Sequence, residues 1–233
     1  MGKGISGGIS NDITITKNSI HDNGEQGIAL GEVDNGLISQ NNIYNNDMGV
    51  VVWGSSTNIS VIKNIIGFLA DGITPAGNAS FGMFIVDSDH IHVGSSNNAD
   101  RNYIGNTGFV GVLLNNTGTD ITLIKNNIGI GSDDATAGPN ALGILSVNAG
   151  SGNALIQENR IVNSISDGVV IENSSAFALI PPTSGSVSLV NNNISNNGGL
   201  GINIAQDLDS DGIPEIDVGP NLNDISDSDT GPN

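Results

Sequence analysis

The sequence predicts an all-β solenoid, a parallel β-helix, and three observations carry that expectation. The phrase Asn-x-Ile recurs in seven successive places, beginning at Asn18, Asn41, Asn64, Asn102, Asn126, Asn159 and Asn192. After each copy comes a Gly that leads an apolar stretch: Gly27, Gly49, Gly82, Gly111, Gly143, Gly168 and Gly201. Hydrophobic residues make up 37% of the chain but aromatics only 3%, so the interior must be built from Ile, Val and Leu, which suit stacked strands. A fixed phrase at near-constant spacing is the signature of a solenoid.

Each element of the repeat has its own warrant. The residue three places before the Asn is nearly always apolar (Ile15, Ile38, Val61, Ala99, Leu123, Ile156, Leu189) and marks the end of a first strand. The Asn and its neighbour form a short turn, since Asn tolerates a left-handed backbone. A second strand starts at the Ile, and stacked copies of that Ile, about 4.8 Å apart, make one buried column. A third strand follows the Gly. The Asn column has a different logic: a side-chain amide both donates and accepts, so stacked Asn residues can hydrogen-bond from coil to coil. The spacings between Asn copies are 23, 23, 38, 24, 33 and 33 residues. A unit of about 23 residues holding three short strands is the size of one β-helix turn, and longer spacings mark inserted loops.

Composition sets further bounds. The chain has 233 residues, 24 acids and 6 bases, for a net charge of −18. Such a field repels phosphate backbones and excludes nucleic acid as a natural partner. It suits a soluble surface or calcium binding. No apolar run is long enough to span a membrane. The absence of Cys removes disulfides, thiol catalysis and Cys-zinc sites together. No signal peptide is visible, because Met1-Gly2-Lys3 runs straight into repeat; the expectation is a piece of a longer protein. Residues 1–205 read as the β-helix domain and 206–233 as an acidic extension.

Longer stretches carry a resemblance. Asn64-Ile-Ile-Gly, followed by Asp71-Gly-Ile-Thr-Pro-Ala-Gly-Asn78 and Gly82-Met-Phe-Ile, is similar to an insertion-bearing coil of the right-handed parallel β-helix repeats of the pectate-lyase-like superfamily. So are the run from Asn127-Ile-Gly-Ile-Gly-Ser-Asp-Asp to Gly143 and the run His92-Val-Gly-Ser, Arg101-Asn-Tyr-Ile-Gly-Asn106 and Gly111-Val. The chain resembles, more narrowly, bacterial secreted and cell-surface proteins built from this repeat, over residues 4–205. The resemblance implies a right-handed β-helix of about seven coils and an extracellular or cell-surface location. It does not carry an activity, because fold and function are separable.

In that superfamily, sugar-processing enzymes place their catalytic groups on the outer face of one long sheet. Here that sheet is the stack of strands after each Gly. Residues one and three after the Gly (Ile28 and Leu30, Val50 and Val52, Val112 and Leu114, Val169 and Ile171) should point inward. The residue between them points outward: Ala29, Val51, Phe84, Leu113, Leu145, Val170 and Asn203, with Trp53, Val86 and Val147 two places on. A strand apolar on both faces is normally covered on both. Either loops 67–81 and 129–142 fold over this stripe, or it is an interaction surface, for a protein or glycan partner or for self-association, with Val51, Trp53, Phe84, Leu113 and Leu145 at its centre. In both cases it lacks the row of acids and bases that uronic-acid lyases and hydrolases need.

Three clusters are candidates for chemistry. Asp87, Asp89, His90 and His92 crowd one strand end; they suit a carboxylate pair or a metal site, and the plainer reading is an acidic turn with exposed His. Lys17, Lys63, Arg101 and Lys125 all precede a ladder Asn and could meet an anionic sugar. Gln40 and Glu158 share the column, which favours a plain polar strand end. The third cluster is Asp207-Leu-Asp209-Ser-Asp211-Gly212-Ile213-Pro-Glu215. Carboxylates at positions 1, 3 and 5, a Gly at 6 and a carbonyl at 7 match a calcium loop, though Val218 stands where such loops carry Glu. Calcium is therefore the expected cofactor. The functional expectation is a structural or adhesive module of a large bacterial extracellular protein without catalysis. The alternatives are a polysaccharide lyase, hydrolase or epimerase acting on acidic glycans through Asp87, Asp89 and His90, and an ice-binding solenoid. The last needs a flat Thr array, and Thr14-Ile-Thr16 is not repeated.

Overall fold

A computed structural model describes residues 4–147, 152–172 and 185–205. The strands stack in three parallel sheets around one core. Sheet one holds Met48–Trp53, Phe81–Val86, Val110–Asn115, Leu142–Val147, Val169–Glu172 and Ile202–Ala205. Sheet two holds Thr57–Ile62, Asp89–Gly94, Ile121–Ile124, Asn153–Gln157 and Ser186–Val190. Two long strands, Ile5–Thr16 and Gln26–Ser39, run through both and join them. Sheet three is a stack of short strands from Ser19–His21 to Asn193–Ser195, each centred on or ending at the repeated Ile. The register is strict: Ile20 lies beside Ile43, Ile43 beside Ile66, and Ile104 beside Ile128.

Each sheet contributes one set of inward columns. Ile43, Ile66, Ile104, Ile128 and Ile161 are fully buried, as are Ile28, Leu30, Val50, Val52, Met83 and Ile85 from sheet one. Sheet two adds Ile38, Val61, Val93, Leu123 and Ile156. Ala99 does not belong to that column. It is exposed in a short 3₁₀ turn, Asn98–Asp100, and Val93 pairs with Val61 and Leu123 in its place. The long spacing before Asn102 is thus split between two insertions, and counting back from the Asn lands in the second.

The Asn column is a continuous hydrogen-bonded ladder. Asn64 shows the pattern. Its Oδ1 accepts from Asn41 N at 2.9 Å and Asn41 Nδ2 at 3.0 Å. Its own N and Nδ2 donate to Asn102 Oδ1 at 2.9 and 3.0 Å, and Nδ2 also donates to Ile38 O at 2.9 Å. The same set joins Asn102, Asn126, Asn159 and Asn192. Both lone pairs and both amide hydrogens are used, so a buried polar group is held without an unmet bond. The residue just before the Asn takes the left-handed backbone, with φ near 59° at Lys17 and Lys63 and 57° at Lys125, except at Arg101, which follows the 3₁₀ turn with φ −55°. A non-Gly residue there costs about 1 kcal/mol, which the ladder offsets.

A second ladder, not foreseen from the sequence, runs along the next corner. Asn46 Oδ1 accepts from Asn23 N and Nδ2 at 3.2 and 2.9 Å, and Asn78 Oδ1 accepts from Asn46 N and Nδ2 at 3.0 and 3.2 Å. Farther on the rungs change type: Thr107 donates to Asn140 Oδ1, and Ser164 N donates to Asn197 Oδ1. The Gly column lies against this corner. A Cβ on Gly111 would sit 2.6 Å from Gly143 O, 2.8 Å from Asn140 Nδ2 and 3.1 Å from Ile128 Cγ2. Gly is required there by lack of room, not by backbone conformation.

Loops 67–81 and 129–142 do not cover the outer face of sheet one. They are anchored beside sheet three and against each other. Asn42 Nδ2 donates to Phe68 O, Arg160 Nη1 donates to Asp134 O, and Ser132 N donates to Gly72 O. Phe68 is fully buried over Gly105 and Gly138, which fills the gap left by the short coil between the two loops. Each loop closes on an Asp. Asp133 accepts from Thr136 N at 2.8 Å, Thr136 Oγ1 at 2.7 Å and Ala135 N at 3.1 Å; Asp71 makes the same bonds with Thr74 and Ile73. The bonds from the Thr136 backbone and hydroxyl, and then from Ala135, hold the Asp133 carboxyl below the ordinary value of 3.8.

Three predictions follow from this architecture. Ile104→Ala or Ile128→Ala should each destabilise the chain by about 2–5 kcal/mol, read as a lowered urea midpoint. Asn126→Ala takes the acceptor from Asn102 N–H and from one Asn102 Nδ2 hydrogen, leaving Nδ2 only Val61 O, and should cost about 1–3 kcal/mol; an unchanged midpoint would show that the ladder is not structural. The Asp133 carboxyl has a depressed folded pKa. Its stabilisation is therefore present above the unfolded value and is lost as pH falls through the folded value. The Tm difference between wild type and Asp133→Ala should be seen at neutral pH and shrink below about pH 4. A difference that stays constant into acid would show that the carboxylate charge is not what closes the loop.

Candidate functional site

The outer face of sheet one is the most unusual surface of the chain. Alternation along each strand, with a step at the Gly, sends three residues per coil outward. In register these are Met48, Phe81, Val110 and Leu142; then Val51, Phe84, Leu113, Leu145, Val170 and Asn203; then Trp53, Val86, Asn115, Val147 and Glu172. Val110, Leu113, Leu145 and Val147 form a buried cluster separate from the main core, with Phe81, Phe84, Leu142 and Val170 packed against it. Val51, Leu113 and Leu145 are buried, Phe84 is half-buried, and Trp53 is 43% exposed. Phe109 flanks the same face at 48% exposure. Phe81 joins the aromatics, its ring 5.4 Å from Phe84 and 5.6 Å from Phe109.

The Trp53 indole lies over Gly31 of the preceding coil, where any Cβ would meet the ring. Three acceptors on the outward rows, Gln26 Oε1, Asn115 Oδ1 and Asn203 Oδ1, are buried without a hydrogen-bond partner. Toward the last strands the face turns polar. Asp167 accepts from Leu200 N at 2.6 Å and from Asn203 Nδ2 at 3.0 Å.

Asp87, Asp89, His90 and His92 sit at the turn from sheet one to sheet two, and the structure gives most of them local work. Asp87 accepts from Asn116 Nδ2, and Asp89 Oδ1 accepts from Thr119 N at 2.7 Å. His92 Nδ1 bonds Thr122 Oγ1 at 2.9 Å, with Asp120 3.7 Å from Nε2. His90 is exposed and has φ 52°. Among the described residues no group of three or more His, Cys, Asp or Glu side chains could hold a metal ion. The expected calcium ligands Asp207, Asp209, Asp211, Ile213 and Glu215 lie outside the described residues.

The basic column is paired internally. Lys63 meets Asp100 at 3.1 Å, Lys125 meets Glu158 at 3.4 Å, and Arg101 and Arg160 share Asp134 at 3.8 and 3.7 Å. Ser95 and then Lys63 hold the Asp100 carboxyl below its ordinary value. These residues mark the corner between sheets two and three, on the opposite side of the core from sheet one. Among the described residues no helix is long and apolar enough to cross a membrane.

Comparison with known proteins bears on the fold. The family described as right handed beta helix region matches residues 1–128. Comparison with curated protein sequences finds no match. Among solved structures, the chain is similar to the A-module of mannuronan C-5 epimerase AlgE4 from Azotobacter vinelandii, with a TM-score of 0.53 at 19% identity. The match covers 83% of this chain and 55% of that one. At that identity the likeness concerns the fold.

Proposed function

The chain belongs to the family of right-handed β-helix regions, and on that scaffold we propose that it is a structural or adhesive binding module of a larger bacterial extracellular protein, with no catalysis of its own. One observation carries the reading. From Met48 to Val147 the outer face of sheet one presents aromatic and aliphatic side chains, with its acids, Asp167 and Glu172, confined to the last coils, where an acid–base enzyme needs a row of titratable groups within hydrogen-bond reach of the substrate. Its exposed and half-buried members, Trp53, Phe81, Phe84 and Phe109, form an apolar patch of the kind that marks interaction sites.

A second reading, an enzyme acting on acidic glycans, draws support from the likeness to an epimerase module. Its best residues are Asp87, Asp89 and His90. The bonds from Asn116 to Asp87 and from Thr119 to Asp89 favour a role in shaping the turn. Incubation with polymannuronate, pectate and a panel of neutral glycans separates the two readings. The expected result is no cleavage and no epimerisation. Turnover that is abolished by Asp87→Asn would establish the enzyme reading instead.

A further inference from the structure

The charge of the chain is divided across its cross-section. The described Lys and Arg residues, Lys17, Lys63, Arg101, Lys125 and Arg160, all lie at or beside the corner between sheets two and three. Sheet one faces away from them. Its borders carry acids: Glu25, Asp47 and Asp167 just before its strands, and Glu32 and Asp87 just after. With a net charge of −18, the field over this face is negative along its length.

Between these acidic borders lies the aromatic and aliphatic surface, with Trp53 and Phe109 its most exposed members. A polyhydroxylated ligand would leave its hydroxyls without partners over a row of Val, Leu and Phe. An acidic glycan would also be repelled, and so would a second copy of this chain.

We propose that sheet one is the docking face for an extended polypeptide segment of a partner protein whose apolar side chains are flanked by Lys or Arg. The apolar side chains cover the surface around Trp53, Phe84 and Phe109. The cations meet Glu32 and Asp87 on one border and Glu25 and Asp47 on the other. This rests on the reading of the chain as a binding module and names the chemistry of its partner.

Trp53 is the only Trp in the chain, so its fluorescence reports the face directly. The probes are a synthetic peptide with alternating Leu and Phe between paired Lys residues and a twin with Gln in place of each Lys. At low ionic strength the Lys peptide should bind at least about tenfold more tightly than its twin, and about 0.5 M salt should erase most of that advantage. Phe109→Ala should weaken both peptides, whereas Glu32→Gln with Asp87→Asn should weaken the Lys peptide alone. Equal affinity for the two peptides, or binding of neither, overturns the proposal. So does a Trp53 response to neutral oligosaccharides in place of the peptides. The glycan-turnover assay is scored separately. A chain that binds no peptide and turns over no glycan loses this partner but keeps the module reading; one that turns over glycan loses that reading.

Discussion

Everything in this molecule rests on the side-chain oxygen of Asn accepting two hydrogen bonds from the coil before it. The chain must reverse direction between sheets two and three within two residues. That leaves the backbone N–H at the turn pointing along the stack, away from any strand partner. Asn41 Oδ1, Asn64 Oδ1 and their successors take up that N–H and the adjoining amide hydrogen together. Asp has no donor for the following rung and would bury a charge; Leu has neither donor nor acceptor. The ladder fixes the axial register, and the register puts each Ile of sheet three over the next.

The Gly column follows from that register. Once the Ile and the second-corner Asn are stacked at fixed height, their Cγ2 and Nδ2 atoms occupy the volume that a Cβ would need at Gly27, Gly49 and Gly111, and at Gly82 Thr107 Cγ2 takes the place of the amide. Three columns with different chemistry are thus one packing unit repeated along the axis. Their interdependence explains why the spacing between repeats varies only through loops that leave the stack, as 67–81 and 129–142 do.

How much of this could be read from the chain depended on whether a column keeps its residue type. The Asn, Ile and Gly columns do, and so the strands, the ladder and the inward residues of sheet one were legible. The second ladder was not, because its rungs pass from Asn78 to Thr107, Asn140 and Ser164. Its signal was an Asn five residues after the first, at Asn23, Asn46 and Asn197. Val93 was missed because two insertions share one long interval, and spacing alone does not say at which corner extra residues leave. The same ambiguity left loops over sheet one as one of two readings of the outward stripe. The outward apolar row was legible from strand alternation, while the gathering of the described bases at one corner, away from sheet one, needed the three-dimensional arrangement of the corners.

The ladder also has a direction. Each Oδ1 along it from Asn41 to Asn192 accepts from the coil before, so these side-chain carbonyls point toward the same end of the stack. Aligned amide dipoles add, as they do along an α-helix. The corner therefore carries a partial negative pole near Asn18 and a partial positive pole near Asn192. Lys17 stands beside the negative pole, and no Lys or Arg follows Arg160 in the chain. The sparse formal charges and the oriented amides thus favour each other along the axis.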